Sequence, residues 1–191
     1  SLLGETPHVN VPYHTVLDRL EEDIRAEGGG VLGTTGMGIG PAYMGKAART
    51  GIRMVDLLDE KALLPRLSFV LGQKNSLITK LYGRDPLSLE EAYEKCREWG
   101  RELKAFIRPV EPMIQEALAA GQRIILEGAQ GTMLDLDHGT YPYVTSSSST
   151  VGGACTGLGI SPRYIQEIAG VYKAYTTRVG SGPLPTELND E

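Results

Sequence analysis

The sequence predicts an α/β fold with a mostly parallel central sheet and a helical insertion over residues 52–120. Three short runs lead to that reading: Val31-Leu32, Ile124-Ile125-Leu126 and Val171 to Arg178 each empty into a loop rich in glycine. A continuous apolar run such as 124–126 is the pattern of a strand buried on both faces, which parallel sheets require. Ligands of open α/β sheets sit beyond the carboxyl ends of the strands, so the three loops share one ligand edge. Residues 1–191 then read as the central part of one larger α/β domain, starting without Met and stopping with no tapering tail.

Taken in order, Thr15 to Glu27 carries Val16, Leu17, Leu20 and Ile24 at helical spacing and ends at Gly28-Gly29-Gly30. Pro41 suits the first residue of a helix running to Thr50, because its fixed φ fits the turn and its missing N–H would be unpaired there. That helix would put Ala42, Lys46 and Arg49 on one stripe. Two cations so placed could address a phosphate or simply face water. Between Val55 and Leu81 the pattern predicts two short Leu-rich helices divided by Pro65. Ser88 with Glu91 reads as a capping box opening a helix whose stripe is Ala92, Cys96, Trp99, Leu103, Phe106 and Ile107, ended or kinked at Pro109. Val110 to Leu118 continues the helical pattern to Gly121, and Pro162 to Ile168 suggests one or two further turns.

Composition excludes several functions. A net charge of −5, with no dense run among the 19 Lys and Arg, argues against a nucleic-acid surface. Cys96 and Cys155 are too few for a disulfide framework or thiolate cluster, and a reducing, intracellular setting is expected. No apolar run approaches a membrane span.

Two loops hold the chemistry. Gly33 to Pro41, G-T-T-G-M-G-I-G-P, alternates glycine with small residues and suits a loop that wraps a ligand with backbone N–H groups. Gly128 to Thr150 delivers Gln130, Thr132, Asp135, Asp137, His138 and Thr145 to the ligand edge, with Gly128, Gly131 and Gly139 permitting close backbone approach. Some motifs fail on inspection. Gly40 to Ala47 nearly spells a P-loop, but Ala47 replaces the Ser or Thr that would hold magnesium, and Pro41 removes an amide. Asp135-x-Asp137 does not make a calcium loop, because Thr140 and Ser146 stand where Gly and Glu are needed. His8, His14 and His138 have no metal-ligand spacing, and no nucleophile elbow surrounds any serine.

Gly38 to Arg49, G-I-G-P-A-Y-M-G-K-A-A-R, Glu127 to Ser147, E-G-A-Q-G-T-M-L-D-L-D-H-G-T-Y-P-Y-V-T-S-S, and the stretch from Thr177, T-R-V-G-S-G-P-L-P-T-E, together resemble the adenylosuccinate synthetase family across essentially the whole chain. The resemblance implies a P-loop-NTPase-like synthetase, a GTP-dependent C–N ligase of purine biosynthesis that couples IMP to L-aspartate. By matched position it implies that Thr35 and Thr145 hold the 5′-phosphate of IMP, that Gln130 bonds at the purine 6-position, and that Val179 contacts the ribose through its backbone. It also implies that Arg49 reaches the phosphate in the partner subunit of a homodimer. Lys46 belongs to the same signature and joins the IMP set without an assigned contact. The family's catalytic Asp and His, its guanine site and its aspartate loop have no counterpart in these residues, so the segment alone is expected to be inactive. Magnesium is implied, with ligands outside the segment. Met37 stands where the family usually has Arg or Lys. Two alternatives remain open: a different P-loop NTPase, and a self-contained, non-catalytic nucleotide-binding module.

Overall fold

The computed structural model describes residues 1–178 and 180–184, and these separate into two compact units, residues 1–21 with 36–114 and residues 22–35 with 115–191. The fold is mixed α/β, with parallel strand pairing and helices as the main mass.

In the first unit β1 (Leu3–Gly4) pairs in parallel with β2 (Ile107–Arg108), with Leu3 opposite Ile107 and Gly4 opposite Arg108. The first helix, α1 (Pro12–Glu27), opens on Pro12, as an N1 proline should, and buries Tyr13, His14, Leu17, Asp18 and Leu20. The next, α2 (Ile39–Ala47), starts two residues earlier than expected. Pro41 still falls within the first turn, where no amide needs an intrahelical partner.

Within the first unit the main difference from the sequence reading lies at Pro65. Residues Met54–Leu58 form a 3-10 turn, and one helix, α3 (Glu60–Lys80), then runs straight through the proline. Pro65 removes the bond to the carbonyl four residues back, Lys61, but only one turn into the helix. Asp59 already caps the start by accepting from the Lys61 and Ala62 amides (3.0 and 3.2 Å). Beyond it, Leu67, Val70, Leu71 and Ile78 bury a continuous stripe, and each buried aliphatic side chain contributes roughly 1.5–3 kcal/mol. That sum outweighs one lost bond.

The next helix, α4 (Leu89–Leu103), begins at Ser88, whose hydroxyl accepts from the Glu91 amide at 3.2 Å. Its Ala92, Cys96 and Gly100 face the core, and a Cβ at Gly100 would lie 2.3 Å from the Leu57 carbonyl, so the helix rests directly on the 54–58 turn. It stops before Phe106, because the Phe106 carbonyl accepts from the Leu3 amide (2.8 Å) and Ile107 enters β2. Asn75 ties α3 to the entrance of α4 by bonding both the N–H and the carbonyl of Leu87 (2.9 Å each). The core of the unit is Val11, Tyr13, Leu17, Ile52, Leu63, Leu67, Leu71, Ile78 and Cys96 with their neighbours. The following helix, α5 (Glu111–Ala119), buries none of its residues.

The second unit departs most from expectation. Residues 31–32, 124–126 and 171–178 form no strand, and Ile125 is 92% and Val171 97% exposed. A strand of that type needs neighbours on both edges for its N–H and C=O groups, and among the described residues none pairs with it. Parallel pairing is present, but in β1 and β2 instead. An unexpected helix, α6 (Val151–Leu158), forms in a glycine-rich stretch and closes at Gly159 (φ 64°), with the Gly159 and Ile160 amides both bonding the Cys155 carbonyl. Only Pro162–Tyr164 turns, as a 3-10 segment, where one or two helical turns were expected.

Candidate functional site

The loop from Gly128 to Thr150 folds back on itself. Its outward limb passes Gln130, held at φ 72°, and Gly131 at φ 77° into a 3-10 turn at Thr132–Leu134. Its return limb carries Thr145, whose amide donates to the Leu134 carbonyl (2.9 Å), while the Leu136 amide donates to the Ser147 carbonyl (3.2 Å). Side chains add two more ties: the Ser149 hydroxyl donates to the Gly131 carbonyl (2.7 Å), and the Ser147 hydroxyl donates to Gln130 Oε1 (3.4 Å). Gln130 and Thr145 therefore sit on opposite limbs of one cross-linked loop.

Asp135 lies at the centre of that loop and is 1% exposed. Its carboxylate accepts from the amides of Asp137 (3.0 Å), His138 (3.1 Å) and Thr150 (3.2 Å). Burial works to raise its pKa, but these amides and that of Ser149 outweigh it and hold the carboxyl below its ordinary range. The sequence reading sends Asp135 to the ligand edge, and the structure corrects this: the side chain turns inward. Asp137 and His138 remain exposed. The signal for the inward turn is an Asp bonding the amides two and three residues on, an Asx turn.

The other glycine loops meet this one inside the second unit. The Ser181 amide donates to the Leu32 carbonyl (3.2 Å), and a Cβ at Gly33 would lie 2.9 Å from Gly180 Cα and from Ser181 N. Arg178 donates to the carbonyls of Tyr143 (2.9 Å) and Pro183 (2.8 Å), and Gly182 packs against the Tyr143 ring. Thr35, exposed, ends the 31–35 stretch of this unit. Thus the stretch that ends at Thr35 and the loop that bears Gln130 and Thr145 both contact the 178–183 region, through Gly180 and Ser181 on one side and Arg178 and Gly182 on the other. Val179 lies outside the described residues. The bond network of Arg178 has no simple sequence signal beyond a cation flanking a glycine loop.

Lys46 and Arg49 belong to the first unit. The Lys46 ammonium lies 5.5 Å from the centre of the Tyr43 ring, a cation–π distance. Arg49 does not continue the stripe expected of it. The helix ends at Ala48, and Arg49 adopts φ 63°, with the Thr50 and Gly51 amides closing on the Gly45 carbonyl. Among the described residues Arg49 and Gln130 are the non-glycine residues with positive φ. Upstream, the loop entering α2 is gripped by α1: the Gly38 amide donates to buried Asp18 (2.7 Å), and the Met37 carbonyl accepts from Asn10 and Thr15. A Cβ at Gly38 would lie 2.6 Å from the His14 and Thr15 backbone, so only glycine fits.

Among the described residues no group of three His, Cys, Asp or Glu converges. The buried carboxylate of Asp135 is already taken by amides. His14 is a core residue: its Nδ1 accepts from the Val11 amide (3.0 Å), and burial, aided by the charge of Lys74, pushes its pKa down to about 4. Burial also pushes the Cys96 thiol up to about 11, so it is inert packing. No helix among the described residues is long and apolar enough to cross a membrane.

The fold and these loops define the class first: an α/β protein whose glycine turns and backbone amides gather on one cross-linked loop system. The sequence profile of one family, adenylosuccinate synthetase, matches residues 2–191. Among similar chains, the adenylosuccinate synthetase of Desulfitobacterium hafniense is 50% identical over 190 residues, covering 100% of this chain and 44% of its own length. That of Thermomicrobium roseum is 51% identical over 191 residues, covering 99% and 44%. A solved structure described as fully ligated adenylosuccinate synthetase from Plasmodium falciparum superposes with a TM-score of 0.90 at 35% identity, covering 99% of this chain and 44% of that one. This chain belongs to the adenylosuccinate synthetase family, and it spans about 44% of the length of the curated relatives it matches.

Proposed function

We propose that these residues form most of the IMP pocket of an adenylosuccinate synthetase, a cytoplasmic homodimeric ligase that converts IMP, L-aspartate and GTP to adenylosuccinate, GDP and phosphate. Residues 1–191 are then the central part of one larger α/β domain, with 52–120 inserted as helices. GTP phosphorylates O6 of IMP, and the aspartate amine displaces that phosphate. Thr35 and Thr145 offer hydroxyls and neighbouring amides to the 5′-phosphate, Gln130 bonds at the purine 6-position, and Val179 meets the ribose. Arg49 serves the pocket of the partner subunit, and Lys46 joins the IMP set without an assigned contact. Magnesium would be held by residues outside this chain, as would guanine and aspartate. The segment by itself is expected to be inactive.

One observation carries this reading. A left-handed backbone costs a non-glycine residue roughly 1–2 kcal/mol, and such strain persists where surrounding structure and function demand it. The residues paying it, Arg49 and Gln130, are two that the family resemblance assigns to IMP. Phosphoryl transfer depends chiefly on positioning and electrostatics, which suits a site made of fixed turns. Against a self-contained module stands the exposure of Ile125 and Val171, apolar residues that an independent domain would bury.

Arg49→Ala in the full-length chain tests the assignment. Steady-state kinetics should show KM for IMP rising about tenfold with KM for GTP nearly unchanged. Equal loss for both nucleotides would remove Arg49 from the IMP site.

A further inference from the structure

We propose that Asp135 is the positioning residue of the 128–150 loop: its carboxylate binds amides of both limbs and sets the register between Gln130 and Thr145. This rests on the IMP reading above and adds a residue that makes no contact with substrate.

A carboxylate 1% exposed normally needs a cation or several donors to stay charged. Asp135 is met by amides from two directions. Oδ1 accepts from Asp137 and His138, on the stretch that follows Gln130 and the 3-10 turn. Oδ2 accepts from Thr150, with the Ser149 amide beside it, on the stretch that follows Thr145. Successive backbone N–H groups in turns form concavities that hold anions, and here the chain supplies the anion itself. The remaining cross-links are neutral: Thr145 to Leu134, Leu136 to Ser147 and Ser149 to Gly131. Charge-assisted bonds are about twice as strong as neutral ones, so Asp135 is the strongest fastening between the limbs. Gln130 is coupled to the return limb, because its Oε1 accepts from the Ser147 hydroxyl. If that limb drifts, Gln130 loses its orientation and Thr145 its distance together.

D135N is the direct test, since it preserves volume but replaces one acceptor oxygen with an NH₂ that would face an amide N–H. T150P is the second. Thr150 has φ −80°, which proline accepts, and the change deletes the N–H donated to Oδ2 together with a hydroxyl that makes no cap hydrogen bond. Hydrogen exchange and steady-state kinetics are measured on the full-length chain, with I160V as a control that trims a buried residue outside the loop. In D135N, amides of 129–150 should exchange at least tenfold faster while those of α3 do not change. KM for IMP should rise about tenfold and KM for GTP should stay within twofold. T150P should shift both readouts in the same direction by several-fold, and it decides the matter should D135N fail to fold. I160V should lower the melting temperature without moving KM for IMP. Unchanged exchange across 129–150, or a lower melting temperature with KM for IMP unmoved, would overturn the proposal. A wild-type chain without IMP-dependent turnover would instead defeat the functional reading, and the exchange arm would still judge the clamp.

Discussion

At the scale of single residues, Gln130 poses the sharpest question, because its backbone is strained (φ 72°) and its side chain is the one proposed to follow the transferring phosphoryl group. Glycine removes the strain and alanine does not. Q130G should therefore be about 1 kcal/mol more stable than Q130A by thermal melting, while both lose turnover by more than they lose IMP affinity. Q130G with near wild-type turnover would show that the amide makes no transition-state contact. The polar content of this loop is legible in the sequence, as is the placement of Gln130 and Thr145 beyond an apolar run. The inward turn of Asp135 is not, because it depends on amides that the folded loop brings to its carboxylate, among them that of Thr150 fifteen residues on. Arg49 illustrates the same limit: helical spacing extends the α2 stripe through it, whereas the chain leaves the helix at Ala48.

Among elements, α3 and α4 follow from pattern plus caps. Ser88 satisfies the Glu91 amide at the start of α4, and S88A should lower stability by about 1 kcal/mol in denaturant titration with an unaltered m-value. A change below a few tenths would mean that water serves that amide equally well. Pro65 misleads a sequence reading because a breaker is weighed by type, while its cost depends on position: one turn in from a capped end, a long buried stripe carries the helix past it. The error at α6 has the opposite sign. Gly152 and Gly153 suggest a loop, yet Thr150 before the segment and Gly159 after it are the start and stop residues of a helix.

At the level of the whole molecule, the two units differ in what they bury. The first has a continuous aliphatic core around α1, α3 and α4, and the second among its described residues buries little beyond Ile160 and Asp135. Limited proteolysis should thus cut within 165–177 well before it cuts within 60–103, as read by mass spectrometry of early fragments. Early cleavage inside α3 would contradict that order of stability. The strands expected at 124–126 and 171–178 do not form: a hydrophobic run favours burial, but pairing partners decide whether it becomes a sheet, and among the described residues none pairs there. The close approach of Gly33 to Gly180 has its own corollary. Two main chains touching with no room for a methyl group behave like meshed gear teeth, so a graft or redesign of either loop succeeds only when the facing loop is transplanted with it.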